Sequence, residues 1–135
     1  MDDILFLGQT SSIEELYCAS DILIHPALYD PFSNVCLEEM ARGLPVMTTR
    51  LNGASEIIED GCTGLVVDTP GEVEKMIAGM SGLLENRAAG IRLMGQSAAR
   101  AVQECSVEKN TKETLAVYKE VLREKGGSGS VKRAE

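Results

Sequence analysis

The chain has few basic residues, a single histidine and none of the short signatures of several large enzyme classes. Its 13 Lys and Arg stand against 21 Asp and Glu, giving a formal net charge of −8 and a pI near 4.7. A nonspecific nucleic-acid binder needs clustered cations to displace counterions, so nucleic acid is not an expected partner. No run of about 18 apolar residues is present to span a bilayer, and the N-terminus lacks the basic and apolar regions of a signal peptide. There is no D-x-D pair, no cluster of His and Cys, no G-x-S-x-G and no G-x-G-x-x-G. Metal-dependent transfer, serine hydrolysis and dinucleotide redox chemistry therefore lack their usual residues, and no metal is expected. Cys18, Cys36, Cys62 and Cys105 are widely spaced with no C-x-x-C pair. They read as small apolar side chains in a reducing cytosol.

What is present is the material for one folded domain. The 135 residues are 44% apolar and 25% charged, enough for one compact core and too few for two. Short apolar runs alternate with helical patterns, which predicts an α/β fold with a Rossmann-like parallel sheet flanked by helices. Strands are expected at 4–7, 21–25, 46–49 and 64–67, and helices at 12–19 and 31–42. Gly43 ends the second helix, and the β-branched content of 46–49 suits a buried parallel strand. Asn52-Gly53 and Asp60-Gly61 read as turns, with one helical turn at 56–59 between them. Three helical stripes follow: Val73, Met76 or Ile77, Met80 and Leu84; then Ile91, Met94, Ala98, Val102 and Cys105; then Val107, Thr111, Leu115, Tyr118 and Leu122. The segment 125–130 has no apolar face, so 1–123 is the expected domain and 124–135 a disordered tail.

Asp30 and Glu38 are the candidate functional pair, eight residues apart between a predicted strand and a predicted helix. With Asp30 as the helix cap and Pro31 at the first position, Glu38 lies roughly 12 Å along the axis. That span suits a nucleotide sugar, with carboxylates accepting from hydroxyls at either end and a diphosphate meeting free N–H groups between them. Pro31, Phe32, Ser33, Asn34 and Val35 would act through their backbone, offering three or four N–H groups. Glu39 reads as solvated surface. Asp30 lies beyond the C-terminal end of a predicted parallel strand, where ligands bind in open α/β sheets. His25 ends that strand, and Arg50 follows the strand 46–49, where it could face an anionic donor. A packed histidine and an exposed loop arginine are the ordinary alternatives for these two, as simple helix capping is for Asp30.

Asp30-Pro31-Phe32-Ser33-Asn34-Val35-Cys36-Leu37-Glu38, with the following Glu39-Met40-Ala41-Arg42-Gly43-Leu44-Pro45-Val46 and Asn52-Gly53-Ala54-Ser55-Glu56-Ile57-Ile58, resembles the E-x7-E donor motif of glycosyltransferase family 4. The resemblance runs from about Ile4 to Leu122 and looks most like the lipopolysaccharide-core glucosyltransferase branch. Asp30 stands where the family usually has Glu, which shortens its reach by one methylene. Ser33 replaces a common Gly, which adds a side chain where backbone approaches the donor. The resemblance implies a retaining GT-B enzyme that moves a hexose from a nucleotide diphosphate sugar to a glycan or glycolipid acceptor. It also implies a cytoplasmic parent, peripheral at the inner face of the membrane, with no cofactor beyond the donor substrate. GT-B enzymes have two Rossmann-like domains around one cleft, near which the resemblance places His25 and Arg50, so the chain is expected to be the later part of the second. The N-terminal acceptor domain and the basic residues facing the diphosphate would then lie outside it. Such a fragment is expected to be inactive alone and to form a homo-oligomer through surfaces left uncovered. A noncatalytic Rossmann-like nucleotide-binding or interaction domain is the rival reading.

Overall fold

Val46–Thr49, here β2, is buried along its whole length because strands pair with both of its edges. In the computed structural model, which describes residues 3–85 and 87–126, β1 is Leu23–His25 and β3 is Leu65–Val67. Both run parallel to β2, in registers Leu23↔Val46 to His25↔Thr48 and Met47↔Leu65 to Thr49↔Val67. A strand buried on both faces cannot alternate apolar with polar residues, and here two of its positions are threonines. Their hydroxyls are satisfied locally: Thr48 Oγ1 donates to the His25 carbonyl at 2.8 Å and Thr49 Oγ1 to that of Ala27 at 2.6 Å.

The chain divides into two units, Met1–Val102 and Gln103–Glu135. In the first, α1 is Ile13–Ala19, α2 is Asn34–Ala41, α3 is Val73–Glu85 and α4 is Arg87–Ala101. Helix α2 crosses from β1 to β2 and packs on both strands and on α4. Its Cys36 and Met40 join Val46, Ala54, Ile58 and Ala98 in the core. Each large apolar side chain buried there contributes about 1.5–3 kcal/mol. Gly43 ends α2 at φ +80°, with Gly43 N–H on the Met40 carbonyl and Leu44 N–H on that of Glu39. This is a Schellman stop, and it turns the chain at once into β2.

Several expectations are corrected. Residues 4–7 form no strand, and Ile4, Leu5, Phe6 and Leu7 are exposed. An apolar run becomes a strand only where a neighbour supplies its hydrogen bonds, and the sheet here has three strands. On α3 the inward residues are Met76, Met80 and Leu83, while Val73, Ile77 and Leu84 face solvent. On α4 the stripe of Ile91, Met94 and Ala98 is as expected, but Cys105 lies beyond it and is exposed. Of the four thiols only Cys36 is buried.

The second unit holds α5, Val107–Gly126, whose start is capped by Ser106 Oγ accepting the Lys109 N–H at 3.1 Å. Val107, Thr111, Leu115, Tyr118 and Leu122 are all exposed. The expected tail begins within the last turn of this helix, and residues 127–135 lie outside the described ones.

Candidate functional site

The C-terminal ends of the three parallel strands carry His25, Arg50 and Asp68, and the loop from β1 to α2 rises beside them. Asp30 does not cap α2. Its N–H donates to the Leu51 carbonyl at 3.1 Å and its carbonyl accepts the Gly53 N–H at 2.9 Å, a parallel bridge that prolongs the sheet. Because both backbone groups are used sideways, the chain stays extended through Ser33, and the helix starts at Asn34 instead of Pro31. Glu38 is thus about one turn into α2, roughly 6 Å along the axis from Asn34.

Asn52 holds this arrangement together. It is fully buried, and its Oδ1 accepts the Ser33 N–H at 3.2 Å and the Ala54 N–H at 3.0 Å. Its Nδ2 donates to Thr48 Oγ1 at 3.0 Å and approaches Cys36 Sγ at 3.5 Å. The same Oδ1 starts the 3-10 turn Gly53–Glu56, three residues earlier than the sequence suggests. Gly53 is needed for close approach: a Cβ there would lie 1.9 Å from the Pro31 carbonyl oxygen. Two loops far apart in sequence are therefore locked backbone to backbone.

The lock limits what the loop offers to an anion. Phe32 N–H is taken by Asp30 Oδ1 at 3.1 Å, Ser33 N–H by Asn52, and Pro31 has none. At the start of α2 the N–H groups of Asn34 and Val35 remain, two where three or four were expected. Asp30 Oδ2 faces His25 Nε2 at 3.5 Å, with both side chains about one-third exposed. The structure thus brings the histidine to the acidic residue. Arg50 is exposed, and its Nε donates to Asp68 Oδ1 at 2.7 Å, beside Lys75 and Glu72. The Arg50 hydrogen bond and then the Lys75 charge hold the Asp68 carboxyl below its usual range. Phe32 and Val35 are exposed beside the helix start.

Glu38 is exposed, and its Oε2 accepts a hydrogen bond from Tyr17 on α1 at 3.3 Å. Glu39 is the opposite of the solvated residue expected: it is 1% accessible, and its Oε2 has no partner among the described residues. Cys36, Glu39, Met40 and Gly43 fall at i, i+3, i+4 and i+7, so helical periodicity carried the signal that its charge obscured. Burial raises the Glu39 carboxyl above the ordinary range, Glu38 adds to this, and Arg42 opposes it. The raised group supports folding fully below the unfolded value of about 4.3, and that support is lost as pH rises through the folded value. Glu39→Gln is therefore expected to stabilise the chain at pH 7 by about 1–2 kcal/mol, with the gain vanishing below about pH 4. Urea unfolding of both proteins at the two pH values checks it; an equal difference at both would contradict the assignment.

A model of the family described as Glycosyl transferases group 1 matches residues 1–86. The chain belongs to this family. Its fold, a parallel sheet flanked by helices, is that of GT-B glycosyltransferases. This group 1 chain is 27% identical over 124 residues to the lipopolysaccharide core biosynthesis mannosyltransferase LpsB of Rhizobium meliloti, covering 90% of the chain and 35% of LpsB. Sucrose-phosphate synthase from Thermosynechococcus elongatus superposes with a TM-score of 0.79 at 25% identity, over 90% of the chain and 31% of the synthase. HepE of Anabaena, solved in complex with UDP-glucose, gives 0.72 at 31% identity, over 83% of the chain and 32% of HepE. The chain thus spans about a third of the length of these proteins. Among the described residues no helix is long and apolar enough to cross a membrane.

Proposed function

We propose that the chain is the donor-binding part of a retaining family 4 glycosyltransferase, passing a hexose from a nucleotide diphosphate sugar to a glycan or glycolipid of the cell envelope. The observation that carries this reading is the lock between the Asp30 loop and Asn52-Gly53. It fixes the Asn34 and Val35 N–H groups and the Asp30 carboxylate beside the start of α2, one turn before Glu38. Supporting it are the UDP-glucose complex of HepE and the core-saccharide role in the name of LpsB. The Asn34 and Val35 N–H groups would meet the donor diphosphate, stabilising charge as the sugar leaves. Asp30, set beside His25, would accept from sugar hydroxyls, and Glu38 from those of the ribose. Exposed Phe32 would line the approach, while buried Ser33, held by Asn52, and Pro31 would keep the loop in place. The donor is the only small molecule the reading requires, and the reaction would take place in the cytoplasm, the acceptor being held by a further domain.

The test is an NMR titration of the 135-residue chain with UDP-glucose. The amides of Asn34, Val35 and Glu38 are expected to shift, with a Kd weaker than about 1 µM because only part of the pocket is supplied. Glu38→Ala should weaken binding about tenfold or more, by removing a charge-assisted acceptor worth about 1.5–3 kcal/mol. Glu39→Gln should leave it unchanged. Equal losses for both variants, or shifts confined to another surface, would refute the assignment, and a noncatalytic interaction domain would then be the better reading.

A further inference from the structure

Tyr17 is the one buried residue of α1, and its hydroxyl emerges beside Glu38. The phenol donates to Glu38 Oε2 at 3.3 Å across 21 residues of sequence. Arg42 completes the arrangement from one turn further on, as the residue that caps the end of α2. Its guanidinium lies 5.1 Å from the centre of the Tyr17 ring, and its Nη1 donates to the Glu38 carbonyl at 3.1 Å. A cation over the ring face fixes the plane of the phenol. Glu38 is otherwise an exposed glutamate on a helix surface, free to rotate about three bonds, and ordering such a side chain on binding costs affinity. Here the ordering is done beforehand by a residue of another helix.

We propose that Tyr17 is a positioning residue that orients the Glu38 carboxylate to accept the two ribose hydroxyls of the donor. The inference rests on the donor-site reading given above. Tyr17 itself lies behind the carboxylate, and the hydrogen bond occupies one lone pair of Oε2, leaving the remaining acceptor sites of both oxygens for a diol. The charged groups facing the phenol are Glu38, Glu39 and Arg42, and burial followed by the Glu38 charge holds its ionisation above the usual range.

The experiment uses Tyr17→Phe in the 135-residue chain, titrated by NMR with UDP and with 2′,3′-dideoxy-UDP, which has no ribose diol. The substitution should weaken UDP binding by about 3–10-fold, the worth of one ordinary hydrogen bond, and leave the dideoxy compound unaffected. Equal loss for both ligands, or for neither, overturns the proposal, since a purely structural tyrosine makes no distinction between them. A parallel ultraviolet titration of the tyrosines reads the contact without any ligand: Glu38→Gln should lower the highest phenol ionisation. If that ionisation does not move, the contact is absent and the proposal falls. Should the wild-type chain bind neither compound at millimolar concentration, the donor-site reading fails, and with it the ribose role of Tyr17, whatever the phenol titration shows.

Discussion

Gly53→Ala is expected to destabilise the chain by about 3–5 kcal/mol and to abolish the response of the α2 amides to UDP-glucose. The added methyl would meet the Pro31 carbonyl oxygen at 1.9 Å and its carbon at 2.8 Å. Neither atom is the end of a flexible side chain, so the two loops must part. Overpacking of this kind costs about 1–3 kcal/mol by itself. Separation also strains or breaks the Gly53 N–H to Asp30 carbonyl bond and the Asp30 N–H to Leu51 carbonyl bond, each worth about 1 kcal/mol. Thermal unfolding gives the stability, and the NMR titration gives the binding. A variant with wild-type Tm would show that the loops are not held in the contact described.

Asn52→Ala should cost a similar amount, about 3–5 kcal/mol, for a different reason. The side chain is fully buried and serves two backbone donors, Ser33 N–H and Ala54 N–H, with one oxygen. Removing it leaves both donors without their acceptor, at about 1–3 kcal/mol each, and opens a cavity beside Thr48 and Cys36. Asn52→Asp keeps the oxygen but buries a charge, so it should rescue little at pH 7. Urea unfolding of the three proteins separates these effects. A loss below about 1 kcal/mol for Asn52→Ala would mean that water replaces the amide at no cost, and that the lock does not depend on it.

The two substitutions also explain how much of the site was legible. Asp30 and Glu38 stand out because both lie in one short segment, but their spacing does not give their geometry, since α2 begins at Asn34 and not at Pro31. In sequence Asn52-Gly53 is a turn signal, which is its local aspect. Their larger roles, hydrogen bonding to Ser33 and touching Pro31, involve partners about twenty residues away, and no local pattern reports them. Glu39 failed for another reason. Its charge points to solvent, but its place on the Cys36 and Met40 stripe points inward, and the helix turns that position into the core.

The sequence by itself determined the order of β1, α2 and β2, the stop at Gly43 and the burial of Val46–Thr49. These follow from propensity and apolar periodicity within a few residues. Tertiary structure alone decided that residues 4–7 remain unpaired, that α2 begins at Asn34, that Tyr17 meets Glu38 and that Arg50 turns to Asp68. In each of these cases the outcome hangs on a backbone or polar group finding one particular partner. A donor is satisfied by whichever acceptor the fold brings within about 3 Å, and only the packed chain determines which acceptor that is.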